Sequence, residues 1–108
     1  MNLQELFNIL NNIPEFNGKV SYRAFPIGQC PELPFVCYLE NQTNNFFADN
    51  SVFKKKTSVN VELYTELKDI ELETKIEDAL NRNMLPWEKT EDYIDSEKCF
   101  IITFNVEV

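Results

Sequence analysis

Apolar residues recur along this chain with two periods, one helical and one alternating, and the switches between them mark its elements. Leu3, Leu6, Phe7, Leu10 and Ile13 fall at helical spacing, with Asn2, Glu5, Asn8 and Asn12 off the stripe, which predicts a short amphipathic helix. Pro14 and Gly18 end it. Val20, Tyr22 and Ala24 then alternate with Ser21, Arg23 and Phe25 as a short strand, and Pro26, Gly28, Pro31 and Pro34 impose an irregular loop. Phe35 to Asn41 reads as a second strand. The polar segment Gln42 to Ser51 reads as a hairpin connection, although Phe46 and Phe47 are unexpected there.

A third strand places Phe53, Thr57, Val59, Val61 and Leu63 on one face and Lys54, Lys56, Ser58, Asn60, Glu62 and Tyr64 on the other, so one face is expected to be buried and the other polar. A second helix starts at the N-cap Asp69. Glu71 and Glu73 suit its positive end, Leu72, Ile76, Ala79 and Leu80 form its apolar stripe, and Arg82 suits its last turn. After Pro86, Trp87 to Glu91 reads as an edge strand and Glu91 to Glu97 as an acidic turn. The final strand is the clearest, with Phe100, Ile102, Phe104, Val106 and Val108 alternating with Ile101, Thr103, Asn105 and Glu107.

The order α-β-β-β-α-β-β, with connections of hairpin length, predicts an α+β fold. It is an antiparallel β-sheet of four to five strands with two α-helices packed on one face. The opposite sheet face is left for water or another subunit. With 108 residues, 44% of them hydrophobic and 13% aromatic, the chain can fill one modest core, and residues 1–108 are read as a single domain.

The formal charge is −8, from 18 acidic against 10 basic side chains, which disfavours general binding of nucleic acid. Lys54, Lys55 and Lys56 are the only basic cluster and suit a solvated strand end. Cys30, Cys37 and Cys99 are irregularly spaced in a chain without histidine, which argues against zinc and leaves a disulfide open. Met1 to Leu10 reads as an amphipathic helix rather than a signal peptide, so free thiols in a reducing cytosol are expected. No apolar run approaches the ~20 residues of a membrane span.

Candidate chemistry is sparse. Histidine-based triads are absent, and Gly18 and Gly28 are too isolated to form a phosphate loop. Asp69, Glu73 and Glu77 at i, i+4, i+8 offer oxygens along one side of the second helix, but such residues usually form its solvated face, and Glu91, Asp92, Asp95 and Glu97 are read the same way. No enzyme activity, cofactor or metal is expected. Two features suggest a protein interface instead. One is the pair Phe46 and Phe47 beside Asp49, either a docking knob or a lid on the core. The other is the third strand, with Lys54, Lys56, Asn60 and Glu62 on its polar face, whose reach beyond its neighbours leaves backbone groups free to pair with another chain.

Four stretches together carry a resemblance: FPIGQCPELPFVCYLE (Phe25 to Glu40), NNFFADN (Asn44 to Asn50), VELYTELKD (Val61 to Asp69) and WEKTEDYIDSEKC (Trp87 to Cys99). In their order they resemble a family of small phage and prophage proteins of Gram-positive bacteria, the tail-terminator or tail-completion proteins. The resemblance implies a non-catalytic subunit that assembles with itself into a ring, expected to be a hexamer, at the head–tail junction of the virion after assembly in the host cytoplasm. Its implied partners are the tail tube protein and the head-connector or neck protein, with DNA passing through without specific binding and no membrane involved. Two other readings stay open: another neck or head-completion connector protein, and an acidic inhibitor that mimics DNA.

Overall fold

This computed structural model describes the whole chain except residues 49 and 50, and over residues 42–56 it describes the backbone alone. Helix α1 (Leu3–Asn11) is capped by the Asn2 side chain, which accepts from the Glu5 amide at 2.8 Å. A single 3-10 turn (Pro14–Phe16) follows it. Five strands then build one sheet: β1 (Val20–Tyr22), β2 (Phe35–Ala48), β3 (Ser51–Thr65), β4 (Trp87–Ile94) and β5 (Cys99–Glu107), in the order β1-β2-β3-β5-β4. Helix α2 (Ile70–Arg82) connects β3 to β4, and the Asp69 carboxylate caps it by accepting from the Leu72 amide at 3.1 Å.

Alternation along the strands decides what each face meets. Val36 and Tyr38 of β2, Val59, Val61 and Leu63 of β3, and Ile102, Phe104 and Val106 of β5 point to one face, where Leu6, Leu10 and Phe16 and then Ile76, Ala79 and Leu80 cover them. Both helices therefore lie on one side of the sheet, and the α+β architecture read from the sequence is the observed one. Burying each of these side chains removes roughly 2 kcal/mol of apolar hydration cost.

Five readings need correction. The sheet is mixed rather than wholly antiparallel, because β1 runs parallel to β2, with Val20, Ser21 and Tyr22 beside Val36, Cys37 and Tyr38. Parallel neighbours cannot be joined by a tight turn. The chain leaves β1 at Arg23, where a φ of 65° breaks the extended run expected through Phe25, and returns through residues 23–34.

The segment from Gln42 is not a loop. It continues β2 to Ala48, paired with β3 from Ser51 onward, with bulges after Glu40 and after Phe46. The acidic turn is also shorter than expected, since Glu91, Asp92, Tyr93 and Ile94 continue β4 against β5 and leave only residues 95–98 as the turn. Glu73, finally, is not on a solvated helix face: it is 1% exposed.

Candidate protein interface

Strands β2 and β3 are much longer than the strands beside them. β1 pairs with β2 only at Val36–Tyr38, after which the Glu40 amide donates to the Tyr22 hydroxyl at 3.2 Å. On the other side, β5 pairs with β3 from Ser58 to Thr65, and Val108 exchanges backbone hydrogen bonds with Thr57 at 2.9 and 3.2 Å. Beyond those points β2 and β3 continue as a two-stranded arm. The molecule measures 50 × 27 × 23 Å, a length that the 15 residues of β3 account for at about 3.3 Å each. Neither outer edge of the arm is paired with β1 or β5, and an unpaired row of N–H and C=O groups is a template for another strand.

The sheet face away from the helices divides into two halves. Near the arm it is polar: Asn105 donates to Ser58 Oγ at 2.9 Å and to Asn60 Oδ1 at 3.0 Å, across the pairs Asn60–Asn105 and Ser58–Glu107. Glu62 accepts from the Tyr64 hydroxyl at 3.1 Å. At the far end the loop of residues 23–34 packs on this face. The Phe35 ring contacts both Phe25, edge on at 5.3 Å, and Tyr64, stacked at 4.9 Å.

A cleft of about 420 Å³ remains under that loop, and all three cysteines line it with Phe25, Tyr64 and Ile94. Cys37 and Cys99 are buried and Cys30 is exposed. Burial, with the nearby Glu62 carboxylate and the Cys30 thiol, pushes the Cys37 thiol up to about 11. Burial also raises Cys99 and Tyr64. A thiol held protonated is a poor nucleophile, and Cys37 and Cys99 are both buried.

At the opposite edge, β4 presents its two faces differently. Lys89 turns toward α2 and binds Glu73 at 3.1 Å and Glu77 at 2.7 Å, while Lys68 reaches Glu73 and Glu91, each at 2.6 Å. Both lysines are thereby raised by their carboxylate partners. The carboxylates read as possible cation ligands are therefore occupied: Asp69 caps the helix, and Glu73 and Glu77 hold lysines. Among the described residues no group of three or more acidic, cysteine or histidine side chains is arranged to hold a metal. On the other face of β4, Glu88, Thr90 and Asp92 are exposed.

The interface candidates thus separate into two groups. Asn60 and Glu62 sit half-buried on the polar part of the free sheet face. Phe46, Lys54 and Lys56 lie in the arm, with Phe46 opposite Lys54 and Asn44 opposite Lys56, and Phe47 opposite Val52. The side chains of these arm residues, and Asp49 altogether, lie outside the described residues.

Sequence spacing does not reveal the Lys68–Glu73–Lys89 cluster or the meeting of the three cysteines, since each joins residues from separate elements. The local signal that the sequence does hold is that Lys89 falls in phase with Trp87 and Tyr93, on the face of β4 turned toward α2. No protein-family model matches the chain, and no curated protein matches it.

Proposed function

We propose that this chain is a non-catalytic structural subunit that forms a ring, caps a phage tail tube and joins it to the head connector. The observation that carries this reading is the arm: β2 and β3 outrun β1 and β5 on both sides of the α+β body. A body that stands on its own core and extends unpaired backbone toward a neighbour suits a subunit whose work is assembly. The free sheet face, with its ordered Ser58–Asn105–Asn60 network, offers a second surface for a different partner. The resemblance of the Phe25–Cys99 stretches to tail-terminator proteins supplies the particular role.

The test is reconstitution with tail tube protein. The chain is expected to bind tube ends, stop their growth and sediment as a closed oligomer there. A chain that stays monomeric and neither caps nor shortens tubes overturns the reading. Binding to isolated heads in the absence of any tail would reassign it to the neck.

A further inference from the structure

Charge is distributed unevenly between the arm and the body. Residues 42–56 carry three lysines, Lys54, Lys55 and Lys56, against the single Asp49, for a net charge of +2. The whole chain is −8, so the remainder carries −10. The lysines belong to β3, whose outer edge in the arm lies on the side that β5 covers lower down. Strand β2 contributes only uncharged residues to the arm, from Gln42 to Ala48.

The body has a matching edge. Strand β4 closes the sheet with eight residues, Trp87–Ile94, and one long side of it pairs with no other strand among the described residues. Its exposed face carries Glu88 and Asp92, continued by Asp95 and Glu97 in the following turn. Two β4 strands placed edge to edge would set carboxylates against carboxylates, which opposes pairing of like edges. Lys89 and Glu91 face α2 and are tied up in the cluster with Glu73, a guard against indiscriminate strand addition.

We infer that the free edge of β4 is the docking site for the Lys54–Lys56 strand of the arm of a second copy of this chain. The arm adds as a further strand, so that the sheet runs on from one subunit into the next. The six residues of β3 from Ser51 to Lys56 fit within the eight of β4. Donor and acceptor surfaces are different parts of the molecule, so the contact is head-to-tail and closes into a ring when its rotation allows. This inference rests on the ring reading and names the contact that builds it.

Two charge-reversed chains test it. One carries Lys54→Glu, Lys55→Glu and Lys56→Glu; the other carries Glu88→Lys and Asp92→Lys. Each alone is expected to lose self-assembly, measured by sedimentation with and without tail tubes, by roughly 10- to 100-fold in concentration. An equimolar mixture is expected to recover it, because each arm then meets an edge of opposite charge. Assembly of the parent chain is expected to weaken as salt is raised from 0.05 to 0.5 M, roughly tenfold.

Thermal melting of each variant checks folding, and Lys54→Gln, Lys55→Gln and Lys56→Gln is the milder arm variant if the reversed one misfolds. Assembly untouched by either reversal overturns the inference while leaving the ring. So does a loss that mixing does not rescue, which would direct the arm to tube protein or DNA. A parent chain that never assembles overturns the ring reading itself.

Discussion

Glu73 and Cys37 lie on opposite sides of the sheet, and each shows what burial does to a group that could otherwise meet water. The Cys37 thiol ordinarily loses its proton near 9.0 and in the folded protein does so at about 11. The native state therefore keeps a proton that the unfolded chain has lost. Its stabilising contribution is complete below pH 9 and is lost as pH rises from there through about 11. The urea midpoint is expected to fall over that range, and less steeply in Cys37→Ala. Thiol titration with a disulfide reagent at pH 8 is expected to show one fast cysteine, Cys30, and two slow ones.

Removing the Glu73 carboxylate leaves Lys68 with Glu91 and Lys89 with Glu77. Both lysines can also turn toward water, so Glu73→Ala is expected to cost about 2 kcal/mol in urea unfolding, less than a fully buried pair.

The elements differ in how far neighbouring residues alone specify them. Both helices and β5 were legible because their apolar residues face a core, and a core imposes a period. The Asp69 cap was legible for the same local reason, and Asp69→Ala is expected to cost about 1 kcal/mol with α2 as the element that loosens. Hydrogen exchange of the Leu72 and Glu73 amides checks it. The arm part of β2 was not legible. Gln42 to Ala48 carry no alternating apolar pattern, and a polar stretch between two strands reads as a loop, although its backbone pairs with β3. The parallel pairing of β1 was hidden because the connection of residues 23–34 looks like a long hairpin loop until its packing on the far sheet face is known.

At the scale of the molecule, the helices, sheet and core form a body that the arm leaves behind. Replacing residues 42–56 by Asn-Gly, a tight two-residue turn, is expected to leave the thermal midpoint within a few degrees of the parent. The same change is expected to abolish assembly. A large loss of stability would instead assign arm residues such as Phe46 and Phe47 to the body's core.

Composition and periodicity by themselves determined the α+β class, the apolar faces of β3 and β5, the acidic balance and the absence of histidine chemistry, because those depend on residues two to four apart or on simple counts. Tertiary structure alone decided the parallel β1–β2 pair, the burial of Glu73 between two lysines and the meeting of three distant cysteines. It also decided that β2 runs on to Ala48 beside β3, whose reach beyond its neighbours the sequence had already suggested. Each of these depends on register between segments far apart in the chain, which is set when the sheet and helices pack together.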